Sequence, residues 1–119
     1  MLRDPKLLTD TLNENEQAAL QAWITFAKAE YKDGIKSITI FGSRARGDQN
    51  NDSDIDIAAI VANELATNAR KVLRRKAAEI NLHYDTALAI LVLSESRWNE
   101  LLYHERLIAL DIEHEGIKL

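Results

Sequence analysis

Ile35-Lys-Ser-Ile-Thr-Ile-Phe41, then Gly42-Ser43-Arg44-Ala45-Arg46-Gly47, a polar stretch Asp48-Gln-Asn-Asn-Asp-Ser53, and Asp54-Ile-Asp-Ile-Ala-Ala-Ile-Val61 decide how this chain is read. The first segment is short and β-branched, which predicts a strand that stops at the glycine. The last segment predicts a second strand that opens on two acids. The polar stretch between them predicts a loop able to bring the glycine-serine turn beside those acids on a neighbouring strand.

Working outward, Thr11 and Asn13 each precede an acid by three residues (Glu14, Glu16), the spacing of a capping box, so a helix is expected to start there. Leu20, Trp23, Ile24, Ala27 and Tyr31 recur at helical spacing. Gly34 is expected to close that helix in the left-handed conformation. A second helix is predicted from Asn63 to about Asn81, with Leu65, Ala69, Val72, Leu73, Ala77 and Ile80 on one face. Thr86-Ala-Leu-Ala-Ile-Leu-Val-Leu93 is apolar on both alternating faces, which predicts a strand covered on both sides. Ser94 or Ser96 caps an expected last helix carrying Trp98, Leu101, Leu102, Ile108 and Ile112, and Gly116-Ile-Lys-Leu119 reads as a short edge strand or a tail. The order of these elements predicts an α/β (α+β) protein, a small mixed sheet of three to four strands flanked by helices.

The 119 residues, with neither repeat nor low-complexity tract, are expected to form one domain over 1–119 with a motif core at about 35–93. At 46% hydrophobic and 29% charged the chain has the composition of a globular core, and 4 Gly and 1 Pro exclude collagen-like or linker-like sequence. Cysteine is absent, which excludes disulfides, thiolate metal sites and thiol nucleophiles. Lys+Arg 15 against Asp+Glu 19 leaves a formal charge of −4, which argues against bulk nucleic-acid binding. No apolar run has the length of a membrane span and no secretory signal opens the chain, so a cytoplasmic protein is expected.

Two segments carry chemistry. Glycine lets a backbone approach a ligand, consecutive N–H groups in such a turn make an anion-binding concavity, and a short helix beginning after Gly42 would add to it. Ser43 supplies a hydroxyl, and Arg44 and Arg46 supply planar forks suited to phosphate oxygens. The plain alternative is a tight turn with solvated arginines. Asp54 and Asp56, at i and i+2 of a strand, share one face. Two such carboxylates repel each other, and a divalent cation such as Mg²⁺ relieves the conflict. Here the alternative is an acidic strand end facing water.

Gly-Ser-x(10)-Asp-x-Asp, the two segments at their spacing, resembles the paired motif of the DNA polymerase β-like nucleotidyltransferase superfamily, and in particular its smallest members, the minimal nucleotidyltransferase (MNT) proteins. The likeness runs from about Ile38 to Leu93 and is carried by Phe-Gly-Ser-Arg-Ala-Arg-Gly and Asp-Ser-Asp-Ile-Asp-Ile. It implies the nucleotidyltransferase fold and transfer of a nucleoside monophosphate from an NTP, with pyrophosphate leaving. It further implies that Gly42 and Ser43 hold the β- and γ-phosphates, that Arg46 neutralises the leaving group with Arg44 as a weaker helper, and that Asp54 and Asp56 bridge two Mg²⁺ ions. The pattern's third carboxylate falls on Asp85, which would complete the second metal site and take the acceptor's proton. By residue type alone, Asp85 equally reads as a turn residue before the third strand.

His83, His104 and His114 lack ligand spacing, although His83 lies close enough to Asp85 to be read on one strand face with it. The basic run Arg70, Lys71, Arg74, Arg75 and Lys76 reads as a solvated helix face, or as a docking surface for an acidic partner. Trp23 and Trp98 read as core. With nearly all residues used by the sheet and its helices, the acceptor is expected on another chain or at a homo- or hetero-oligomer interface. Stand-alone MNT proteins resemble antitoxins that adenylylate a tyrosine of a HEPN-type toxin with ATP. A non-catalytic module that blocks its partner, and a small-molecule nucleotidyltransferase, are the competing readings.

Overall fold

The computed structural model describes residues 11–47 and 53–119. The expected loop over 48–52 and the mixed first ten residues lie outside the described residues. Helix α1 spans Glu14–Tyr31 and starts with the capping box foreseen at Asn13: the Glu16 N–H donates to Asn13 Oδ1 at 2.8 Å, and the Asn13 N–H donates to Glu16 Oε1 at 3.0 Å. Its apolar stripe buries Ala19, Leu20, Trp23, Ile24 and Ala27. The helix does not end on Gly34. Lys32 takes the positive φ (48°), and Gly34 lies in a 3-10 turn, Lys32–Gly34, where a Cβ would come within 2.3 Å of Leu65 Cδ1. Gly34 is thus packed close to Leu65 and does not take the left-handed conformation.

Strand β1 (Ile35–Phe41) leads into a one-turn helix α2 (Gly42–Arg46), and β2 covers Ile55–Val61. A 3-10 turn and helix α3 (Ala66–Tyr84) carry the chain to β3 (Leu88–Ser94). The expected last helix is two, α4 (Glu95–Tyr103) and α5 (Leu107–Glu115), followed by β4 (Ile117–Lys118). The break is a Schellman turn. Arg106 N–H bonds to Leu101 O at 3.0 Å, Glu105 N–H bonds to Leu102 O at 3.0 Å, and Glu105 takes the left-handed φ of 50°. Neither glycine nor proline marks it, so helical spacing alone read straight through. At the other end of α4, Ser94 Oγ accepts from the Arg97 N–H and caps the helix.

The sheet order is β3-β2-β1-β4, with β2 and β3 parallel and the other two pairs antiparallel. Alternation splits the strands into two faces. Ile38, Ile40, Ile55, Ile57, Ala59, Val61, Leu88, Ile90 and Val92 form the main core with α1 and α3. Ile60 and Leu93 pack with Leu101 and Ala109 of α4 and α5 on the other face. Both faces of β3 are therefore covered, as its continuous apolar sequence implied. Trp23 lies in the main core with its Nε1–H donating to Leu73 O at 3.0 Å, and Trp98 packs beside the second cluster.

The outer edge of β3 is closed by α3. Arg70 donates to Val92 O at 3.1 Å, Arg74 to Ile90 O at 3.2 Å, and the Asn81 amide to Leu88 O at 3.1 Å. These carbonyls alternate along the strand and point outward, the arrangement that otherwise invites pairing with another chain. The basic run is thus not a uniformly solvated face, because two of its arginines cap an exposed strand edge.

Candidate active site

The site forms where β1 and β2 lie side by side. Their antiparallel register sets Phe41 opposite Asp56, so the turn after β1 lies against the acidic start of β2. Gly42 has φ +76°, and a Cβ there would meet Asp56 Oδ2 at 2.5 Å. A glycine passes this close without displacing that carboxylate, and it takes the positive φ without strain. Ser43 Oγ and Ser53 Oγ are hydrogen-bonded at 3.1 Å. The glycine-serine segment and the acidic segment, ten intervening residues apart in sequence, therefore meet at two places.

Asp54 is exposed and Asp56 half-buried. The Asp56 carboxyl is held above the usual carboxylate range, first by burial and then by repulsion from Asp54 and Asp111, with Arg46 opposing. Asp111 belongs to α5, which packs over the sheet face that carries Asp56, and the sequence reading did not single it out. Its only sequence signal was the i,i+4 spacing with Glu115, ordinary for a helix surface.

The two arginines of α2 part company. Residues two apart on a helix differ by about 200° in direction, so they cannot both face one ligand. Arg46 turns outward, and its Nη1 lies 3.5 Å from both Asp111 Oδ1 and Glu115 Oε2. Arg44 turns inward and is 1% exposed. Its Nη1 donates to Glu16 Oε2 at 2.9 Å, and its Nη2 bonds to the same oxygen. Glu16 thus caps α1 with one oxygen and neutralises Arg44 with the other. Placed so, Arg44 ties α2 to α1 and does not present its fork beside Gly42 and Ser43.

Asp85 also has a structural place. It takes the left-handed φ of 56° that closes α3, its N–H bonded to Asn81 O, and its side chain is exposed. Asn81 Oδ1 accepts from the Leu88 N–H at 2.8 Å and from Thr86 Oγ1 at 3.0 Å, which pins the turn that follows. Leu88 pairs with Ile55, so Asp85 and Asp54 precede adjacent strands at one end of the sheet. Among the described residues, no group of three His, Asp or Glu side chains that could hold a metal ion is found. His83 is helical and exposed, not on a strand face with Asp85, and its ring meets Tyr84 edge-on at 4.7 Å.

Residues 25–111 match the family described as Polymerase beta, Nucleotidyltransferase, and the chain belongs to that family. Over 46 residues it is 44% identical to "Putative protein adenylyltransferase MJ0604" of Methanocaldococcus jannaschii, a stretch covering 39% of this chain and about half (46%) of that relative. A crystal structure of a mutant form of the toxin-antitoxin MntA-HpeT superposes with a TM-score of 0.51 at 24% identity, over 91% of this chain and 72% of that one. The "putative nucleotidyltransferase from Sulfolobus solfataricus" gives 0.52 at 15% identity, over 99% and 89%. At these identities the two structures speak for the fold. Among the described residues no helix is long and apolar enough to cross a membrane.

Proposed function

We propose that this chain transfers AMP from ATP to a hydroxyl of a partner protein, a tyrosine of a HEPN-type toxin, and so acts as the antitoxin of a toxin–antitoxin pair. The observation that carries the transferase chemistry is the passage of Gly42 against the Asp56 carboxylate, which makes the phosphate cradle and the acidic pair a single site. In this reading Gly42 and Ser43 receive the β- and γ-phosphates, and Arg46 supplies positive charge toward the leaving pyrophosphate. Asp54 and Asp56 would hold two Mg²⁺ ions. The fit is chemical: both are hard oxygen donors, and the burial and acidic neighbours that raise Asp56 disfavour a carboxylate charge that a divalent cation would offset. When bound, the ions would supply charge stabilisation to the entering and leaving oxygens. The protein's own part is positioning, as in phosphoryl transfer generally. Asp85 is assigned the acceptor's proton in this reading, which is supported by its place before β3 at the sheet end where Asp54 precedes β2.

A protein acceptor is supported by the name of the M. jannaschii relative, and a toxin partner by the fold shared with the MntA-HpeT structure. The place of Asp85 as the left-handed residue that closes α3 is the one observation favouring a non-catalytic binding module. The test is to co-purify the chain with its native partner, supply Mg²⁺ and α-labelled ATP, and weigh the intact partner. One AMP on the partner, lost in Asp54→Ala/Asp56→Ala, is the expected outcome. Neutralisation by that double variant, with no label transferred by the parent, would establish the binding module. Label on a small metabolite would instead establish a small-molecule acceptor.

A further inference from the structure

We propose that Asp111 and Glu115 form a carboxylate clamp that holds Arg46 in competition with the triphosphate and so set how tightly the nucleotide binds. The inference rests on the nucleotide reading of the site. The two acids lie one turn apart on one face of α5, and both reach Nη1 of Arg46 at 3.5 Å. The Arg46 side chain is 41% exposed, so these are screened pairs rather than a bidentate lock. A triphosphate offers more charge and a better match to the planar guanidinium, and it displaces the carboxylates. Arg46 closes the helix that begins at Gly42, so its charge stands one helical turn from the proposed phosphate cradle. Because α5 covers the face that carries Asp56, the clamp makes nucleotide uptake felt in α5.

Two exposed pairs of this kind correspond to a factor of about three to ten in competing affinity. The experiment is calorimetric titration of the full chain with Mg-ATP, with steady-state label transfer beside it. The proteins are the parent, Asp111→Asn, Glu115→Gln, the double variant, Arg46→Ala, and the double variant carrying Arg46→Ala. The expected result is a fall of about three- to tenfold in Kd and KM for the double variant, larger than any change in kcat. In the Arg46→Ala background the same neutralisation is expected to do almost nothing. Weaker binding by the double variant would mean the acids aim the arginine instead of competing for it. An equal gain without Arg46 would mean they act through the general field, and either result overturns the clamp. A folded parent that takes up no Mg-ATP would overturn the nucleotide reading itself, a different outcome from an unchanged double variant. Glu115→Gln alone, on an exposed side chain, guards against misfolding.

Discussion

Alanine at position 42 separates the architecture of the site from its chemistry. Gly42 and Gly47 both have positive φ, +76° and +79°, so alanine at either carries a similar backbone strain, about 1–2 kcal/mol. They differ in what the new methyl meets. At 47 the nearest atom is Thr11 Cγ2 at an ordinary 3.8 Å, whereas at 42 it is Asp56 Oδ2 at 2.5 Å. A carboxylate oxygen ends a rotatable side chain, so Asp56 yields by close to 1 Å rather than unfolding the strand. Stability should therefore fall by similar amounts in the two variants, roughly 4–8 °C in Tm for each kcal/mol. Displacement of a metal-binding oxygen on that scale should lower transfer about a hundredfold in Gly42→Ala only. Calorimetry gives the Tm values, and α-labelled ATP with the partner gives the rates. In the Asp56→Ala background the contact is gone, and Gly42→Ala should lower Tm only by the strain. Equal transfer rates in Gly42→Ala and Gly47→Ala would refute the reasoning.

Arg44→Ala should destabilise by about 3–5 kcal/mol, because it leaves Glu16 without its buried partner; a normal Tm with weakened Mg-ATP binding would restore Arg44 to the phosphate site. Asp85→Asn should keep Tm, since Asn also tolerates the left-handed conformation that ends α3, and should lower transfer by less than about tenfold, against roughly a thousandfold for Asp56→Asn. Equal losses in the two would make Asp85 a full metal ligand. Asp56→Asn itself should raise Tm near neutral pH while abolishing transfer. Burial and the neighbouring acids push the Asp56 carboxyl up, so its charged form is disfavoured in the fold, and stability falls as pH rises through its titration. Urea midpoints between roughly pH 4 and 7 should show that fall in the parent and a flatter profile in the variant. Identical profiles would remove the electrostatic account of the site.

The strands, the turn and the capping box were legible because each is a local pattern. Ile35–Phe41 is the strand that its β-branched residues implied, and Asn13 with Glu16 closes the box that its spacing implied. The glycine-serine and acidic segments could be paired from their spacing because a short connection between antiparallel strands sets the end of the first beside the start of the second. The split of the last helix was not legible, since Glu105 adopts the left-handed conformation without the glycine that usually signals it. Nor were the roles of Arg70 and Arg74, which depend on α3 lying along the edge of β3.

By itself the sequence determined the period of each element and which residues of each strand share a face, because those follow from backbone geometry within a few residues. Which arginine of α2 is buried on Glu16, which is drawn to Asp111 and Glu115, and that Asp85 ends a helix, only the tertiary structure decided. A charge finds its partner by the phase of its helix and the packing of helices distant in sequence, and neither is written in the neighbours of the residue concerned.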